Sequence, residues 1–209
     1  MKIPAISNLF PNQWQHKKAL KSDIRAAVLA YRKNLSSSQV QTYSQKICQQ
    51  VITQLPETPT TIHLFLPIIQ NHEVDLRSLL PVLWERGDKV YVPRVTLDQT
   101  LEHVRLLPET IIEENRWGIP EPALNHLPAT EEEIQAIEIV LTPLLACDDQ
   151  GFRVGYGGGF YDQFFHEYPH VDKIGVGFFE PITKILDTYE GDIPLDQYIS
   201  PMTITRFHR

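Results

Sequence analysis

The sequence predicts an α/β layered domain with a largely parallel sheet, and three observations carry that expectation. From residue 61 onward, β-branched and aromatic runs alternate with helical periodicities, the signature of strand–helix–strand units. One run, IEIVLTPLLA (Ile137–Ala146), is apolar without alternation, as a strand covered on both faces would be, and is placed at the sheet centre. A chain of 209 residues with 42% hydrophobic and 22% charged residues matches a soluble globular unit with its own core, and excludes disordered, collagen-like and coiled-coil chains.

Leu20, Ile24, Ala27, Val28 and Tyr31 fall on one face of a helix over 13–34. A second helix opens at Ser36, with Gln39 completing a capping box, and packs through Val40, Tyr43, Ile47 and Val51. Strands follow at TIHLFLP (Thr61–Pro67), KVYVPRV (Lys89–Val95) and LEHVRLL (Leu101–Leu107), the last alternating in period two beside its predecessor. Val74–Arg86 reads as a helix in which Pro81 dictates a kink or a late start and Gly87 the stop. RWGIPEPALNHLP (residues 116–128) reads as an ordered loop packed by Trp117. Thr130 and Glu133 box a short helix before the central strand, and a glycine-rich turn precedes another helix around Tyr161–Glu167. KIGVGFF (Lys173–Phe179) and YISPMTIT (Tyr198–Thr205) supply the last strands. No repeat, low-complexity tract or linker divides the chain, so 1–209 is read as a single domain, with 1–16 a loosely ordered N-terminal extension.

Composition narrows the function. No apolar run approaches the roughly 18 residues of a membrane span, and the N-terminus lacks a signal-peptide core. Cys48 and Cys147 form no ligand-spaced cluster and suit a reducing, cytoplasmic setting as structural thiols. A net charge of −7 argues against a general nucleic-acid binder. Charge is nevertheless uneven: Lys17, Lys18, Lys21, Arg25, Arg32 and Lys33 face only Asp23 between residues 16 and 33. That is either a solvated helix face or a set of cations for an anionic ligand. The eight histidines show no metal-ligand spacing, and there is no G-x-S-x-G elbow.

The segment CDDQGFRVGYGGGFYDQFF (Cys147–Phe165) concentrates the chemistry. It leaves the end of the central strand, where open α/β sheets bind ligands. Gly155, Gly157, Gly158 and Gly159 permit positive φ and close backbone approach, and the following helix N-terminus adds free N–H groups for an anion. Arg153 supplies a cation before the glycines, and Asp162 a carboxylate for Mg²⁺ after them. No Lys follows the glycines as a Walker A loop requires, and Phe160 breaks the dinucleotide G-x-G-x-x-G pattern.

From about Lys17 to Tyr198 the chain resembles the 5-formyltetrahydrofolate cyclo-ligases, or methenyltetrahydrofolate synthetases. The resemblance runs through K-x-x-x-R (Lys21, Arg25), L-S (Leu35, Ser36), F-L-P…E-V-D (Phe65–Pro67, Glu73–Asp75), V-P-R (Val92–Arg94) and W-G-I-P-E-P (Trp117–Pro122). It continues through R-V-G-Y-G-G-G-F-Y-D (Arg153–Asp162) and G-D-I-P-L-D (Gly191–Asp196), and the joint order of these motifs is what makes it specific. The resemblance implies a three-layer fold similar to sugar-phosphate isomerase and CoA-transferase domains. It also implies an ATP- and magnesium-dependent cyclisation of 5-formyltetrahydrofolate to 5,10-methenyltetrahydrofolate with release of ADP and phosphate. The expected partners are ATP and a reduced folate, with or without a polyglutamate tail, taken up by a cytoplasmic monomer that engages neither nucleic acid nor membrane.

Carried over position by position, Lys21 and Arg25 are implied to meet nucleotide phosphates together with Arg153, Val154, Gly155, Tyr156, Gly157, Gly158, Gly159, Phe160 and Tyr161. Arg153, Tyr161 and Asp162 are the implied catalytic group, and Asp162 and Asp192 the magnesium carboxylates. Leu66, Glu73 and Trp117 are implied to bind the folate with Tyr156, Gly157, Gly158, Gly159 and Phe160, Glu73 accepting from the pterin amino edge. The chain departs from many relatives in a longer loop before Glu73, in Phe160 where they have Tyr, and in Gly158 where some have Lys. Two readings compete: a sugar-phosphate isomerase-like activity, which would use no ATP, and a catalytically silent nucleotide- or RNA-binding relative, which would not need both metal carboxylates.

Overall fold

The computed structural model describes residues 18–96 and 100–208. The expected N-terminal extension over 1–16 lies outside them. The described chain enters on a short strand, β1 (Lys18–Ala19), and α1 then spans Lys21–Arg32, later than the expected start at 13. The reason is tertiary: β1 pairs in parallel with Lys184–Ile185, and Asp187 Oδ1 caps the helix from outside by accepting from the Lys21 N–H at 2.7 Å. α2 (Ser37–Gln54) begins with the expected capping box, Ser36 and Gln39 satisfying each other's backbone N–H groups.

β2 (Thr61–His63) is a shorter strand than TIHLFLP promised. Pro81 lies in the first turn of α3 (Leu80–Arg86), so the late start is the outcome, and Gly87 ends the helix at φ 84°. β3 (Lys89–Val95) and β4 (Leu101–Arg105) form the expected antiparallel pair. The proline-rich crossing is no simple loop: β5 (Ile112–Glu114) and β6 (Pro120–Pro122) make a small antiparallel ladder with Trp117 in its turn. Trp117 does not pack that segment, because it is 49% exposed. α4 (Glu131–Gln135) carries its predicted box.

β7 (Ile139–Pro143) stops at the proline, and the remainder of the expected strand forms a separate ladder, β8 (Ala146–Cys147) with β9 (Arg153–Val154). α5 (Phe160–Glu167) and β10 (Asp172–Val176) fall where expected. After β11 (Lys184–Ile185), the YISPMTIT run folds back on itself as β12 (Gln197–Ile199) and β13 (Ile204–Arg206), an antiparallel pair. Ser200 Oγ turns the chain by accepting from the Met202 and Thr203 N–H groups at 3.1 and 2.9 Å.

The main sheet has the order β13-β12-β10-β7-β2-β3-β4, with β7 at its centre. Its five inner strands are parallel and its two edges antiparallel. Side-chain alternation divides the interior into two cores. Ile139 and Leu141, with Val90 and Val92, face the core shared with α1, α2 and α3. Val140 and Tyr91 face the opposite core, with Phe164, Phe165 and Tyr168 around α5. Helices on both faces of one sheet make three layers.

This topology also marks a site. From β2 the chain winds outward through β3 and β4, then returns to the other side of β2 as β7 and winds away through β10 and β12. The reversal between β2 and β7 opens a crevice at their carboxyl ends, the position where such sheets bind ligands.

Candidate active site

A cavity of about 530 Å³ fills that crevice. Leu66 reaches it from the β2 exit, Pro93 and Val95 from β3, and Pro143 from the end of β7. The Gly155–Gly159 loop forms another wall, and the β5–β6 turn presents Trp117 at the rim. Of the residues the sequence singled out, Lys21, Arg25, Leu66, Glu73, Trp117, Arg153, Gly155, Tyr156, Gly157, Gly158, Gly159, Phe160, Tyr161, Asp162 and Asp192 all line this one cavity. Val154 does not: it is fully buried, paired with Ala146 in the β8–β9 ladder, because alternation along β9 turns it inward when Arg153 turns outward.

The cations are already engaged. Lys21 Nζ reaches both oxygens of Asp192, at 2.6 and 2.5 Å, and sits 5.1 Å from the Tyr189 ring centroid. Arg25 Nε donates to Gly155 O at 2.9 Å and braces the glycine loop. Arg153 Nη2 lies 2.8 Å from Asp162 Oδ1, and its Nη1 donates to Ile193 O at 2.5 Å. Asp162 Oδ1 also accepts from the Ile193 N–H at 3.0 Å. The Arg153–Asp162 pair thus grips both sides of residue 193, which holds the neighbouring Asp192 against the cavity.

Backbone freedom is used where the loop turns into α5. Gly157 has φ 109° and Gly159, the residue before the helix, φ 71°, conformations that side-chain-bearing residues rarely take. A Cβ on Gly158 would lie 2.7 Å from the Phe160 ring. The Phe160 ring occupies the space that a side chain at 158 would need.

On the other wall, the longer loop after Leu66 is taken up by a 3₁₀ turn, Ile69–Asn71, and by His72 in a left-handed conformation at φ 47°. Glu73 is thereby carried back to the cavity, 5% exposed, where its Oε2 accepts from the Ile68 N–H at 2.8 Å. Burial pushes its carboxyl pKa up, opposed by the Tyr156 hydroxyl, the Ile68 N–H and the charge of Arg32. The Tyr161 hydroxyl is buried, finds no protein partner, and is held protonated by desolvation, then by the negative charge of Glu73. Trp117 stands half-exposed with the Arg116 guanidinium 4.0 Å from its ring centroid, which leaves its other face open to a flat ligand.

The residues missed from sequence include Arg32, Tyr189, Glu121 and an apolar wall with Ile68, Val95 and Ile119. Arg32 was visible only as one more cation of a basic helix; the others carry no chemical signal until the fold brings them together. Glu73, Glu121, Asp162 and Asp192 line the cavity, the last two paired with the cations Arg153 and Lys21 as a set of two carboxylates, and among the described residues no cluster of three or more His, Cys, Asp or Glu side chains is placed to hold a metal. Hard oxygen donors in that number fit Mg²⁺, which characteristically takes one or two carboxylates and completes its shell with phosphate oxygens and water.

Fold and cavity define an α/β domain with a cation-lined cavity at a strand reversal. The profile of the 5-formyltetrahydrofolate cyclo-ligase family matches residues 17–201. The chain is 31% identical over 184 residues to the Haemophilus influenzae 5-formyltetrahydrofolate cyclo-ligase, covering 84% of this chain and 94% of that one. The Escherichia coli K12 enzyme of the same name is 29% identical, covering 83% and 96%. The solution structure of Aquifex aeolicus 5,10-methenyltetrahydrofolate synthetase superposes with a TM-score of 0.72 at 26% identity, covering 90% and 93%. The chain belongs to the 5-formyltetrahydrofolate cyclo-ligase family, a family of ligases.

Proposed function

We propose that this protein, as a single-domain monomer of the cytoplasm, closes 5-formyltetrahydrofolate to 5,10-methenyltetrahydrofolate at the expense of ATP, with Mg²⁺ as cofactor. The observation that carries this reading is the meeting of a cationic glycine loop and a buried carboxylate, Glu73, in one cavity. Two buried free thiols suit a reducing compartment. We group its fold with sugar-phosphate isomerase and CoA-transferase domains.

A formamide carbon is a weak electrophile and its oxygen a poor leaving group. Attack of the formyl oxygen on the γ-phosphorus breaks the bond to ADP and converts that oxygen into a phosphate ester. N10 then attacks the activated carbon, the C–O bond breaks with loss of inorganic phosphate, and N10 sheds its proton. The protein's part is positioning and charge. Lys21, Arg25 and Arg153 hold the phosphates, and the glycine-loop N–H groups approach them at close range. Glu73 accepts from the amino edge of the pterin, Leu66 and Trp117 cover its faces, and Tyr161 offers a protonated hydroxyl where the two ligands meet. Mg²⁺ held by Asp162 and Asp192 would screen phosphate charge; each carboxylate is meanwhile neutralised by Arg153 or Lys21.

Absorbance of the methenyl product, followed with 5-formyltetrahydrofolate, ATP and Mg²⁺ and with each omitted in turn, tests the reading. A rise that needs all three is expected. A rise without ATP, or none while ATP still binds by calorimetry, overturns it.

A further inference from the structure

Arg32 has no place in the mechanism above, yet its position is more constrained than that of the cations that do. It leaves the last turn of α1 and is 2% exposed. Nη2 donates to Leu144 O, one residue past β7, at 2.6 Å, and Nη1 donates to the Tyr156 hydroxyl at 3.3 Å. The guanidinium also stands 5.7 Å from the Phe178 ring centroid. The Tyr156 hydroxyl in turn faces the Glu73 carboxylate across the cavity wall and works against the rise of its pKa. A second tie runs through the backbone: Arg32 O accepts from His72 Nδ1 at 2.5 Å, and His72 is the left-handed residue immediately before Glu73. Side chain and main chain of one arginine therefore reach two neighbours of Glu73, Tyr156 in space and His72 in sequence.

We propose that Arg32 is a positioning residue for Glu73, acting through the Tyr156 hydroxyl, and that it fixes the carboxylate for the amino edge of the folate. The proposal deepens the functional reading of Glu73 and rests on it. Arg32 Nη1 donates to the Tyr156 hydroxyl, which faces the Glu73 carboxylate, while the buried Arg32 Nε finds no protein partner; these contacts favour one orientation of the Tyr156 hydroxyl. An arginine suits this position because its rigid fork serves Leu144 and Tyr156 at once, which a lysine would not do. The groups facing the carboxylate are the Tyr156 hydroxyl and the Ile68 N–H, with the charge of Arg32 behind Tyr156, Tyr161 on the adjoining wall and His72 next in the chain. Arg32 is the cation that opposes the desolvation of Glu73. The same helix carries Lys21 and Arg25 at its other end, so one element serves both ligands.

The test is calorimetry of the whole protein with ATP and with 5-formyltetrahydrofolate separately, across pH, for Arg32→Met, Arg32→Lys, Tyr156→Phe and Glu73→Gln. Arg32→Met and Tyr156→Phe should each weaken folate binding about tenfold while ATP binding is little changed. The double variant should lose less than the product of the two, because both cut the same contact. In Arg32→Met the acid fall of folate affinity should move to higher pH; Arg32→Lys, keeping the charge, should restore that midpoint without restoring full affinity. Equal weakening of ATP and folate, or multiplicative losses with an unmoved midpoint, would overturn the positioning role. If Arg32→Met does not fold, Tyr156→Phe decides, since it keeps the ring and removes only the hydroxyl. Unchanged folate affinity in Glu73→Gln would instead overturn the underlying role of Glu73, whatever Arg32 does.

Discussion

Lys21 and Asp192 grip each other through both carboxylate oxygens, and Arg153 lies 2.8 Å from Asp162, so the site holds its charges as two internal ion pairs. Phosphate and Mg²⁺ would exchange those partners rather than add to them: each cation would pass to a phosphate oxygen and each carboxylate to the metal. Lys21→Ala should therefore weaken ATP by about tenfold or more, the scale of a lost charge-assisted hydrogen bond, with folate affinity nearly unchanged. Asp162→Asn should raise the Mg²⁺ concentration needed for half-maximal turnover; an unchanged magnesium titration would remove Asp162 from the metal. At this scale the sequence was informative where a residue type has few uses. A lysine and arginine four apart already suggest an anion site, and an aspartate after a glycine run suggests a magnesium carboxylate beside it. It was mute on Arg32, whose use depends on Leu144, Tyr156 and His72 lying far away in sequence.

The glycine loop and α5 act as one element. Gly157 at φ 109° places the turn, and a Cβ there would touch the Arg25 guanidinium at 3.6 Å, ordinary contact, so backbone strain rather than crowding is the cost of substitution. Gly157→Ala should cost about 1–3 kcal/mol in the native loop conformation and weaken ATP accordingly, with a smaller effect on the melting temperature, because the loop can relax without unfolding the sheet. Parallel loss of melting temperature and ATP affinity would mean that the loop is part of the core rather than a ligand cradle. Elements written in local signals were legible: both capping boxes, the Gly87 stop and the Pro81 late start are satisfied within a few residues. Elements whose ends depend on a distant partner were not. The start of α1 is set by Asp187, and the break after Pro143 by the pairing of Ala146 with Val154.

For the molecule as a whole, acid sensitivity is built in beneath α5. His103 Nδ1 and His63 Nε2 lie 3.1 Å apart on β4 and β2, and both rings pack against Phe164 of α5. Burial lowers the His103 pKa to about 4; burial and then the charge of its neighbour push His63 well below its usual value. Below about pH 6.5 the unfolded histidines take up protons that the folded ones refuse, so stability is lost as pH falls, by about 1.4 kcal/mol per pH unit for each histidine. Glu73 and Asp148, raised by burial, pull the opposite way, so the histidine contribution below about pH 6.5 is read as the difference between the protein and a histidine variant. His103→Gln should flatten the slope in that window by about one proton's worth, and an unaltered slope would place the sensitivity elsewhere. The α/β class, the central strand and the glycine-loop wall of the cavity were determined by the sequence itself, because periodicity, caps and glycine-rich turns are local physics repeated at short range, and the joint order of the motifs marked the family. The tertiary structure alone decided where helices begin, that YISPMTIT turns back as a hairpin, that Trp117 stands at a rim, and that Arg32 reaches the neighbours of Glu73. Those outcomes depend on which distant groups arrive within hydrogen-bond reach, and only the closed sheet with its reversal between β2 and β7 brings them there.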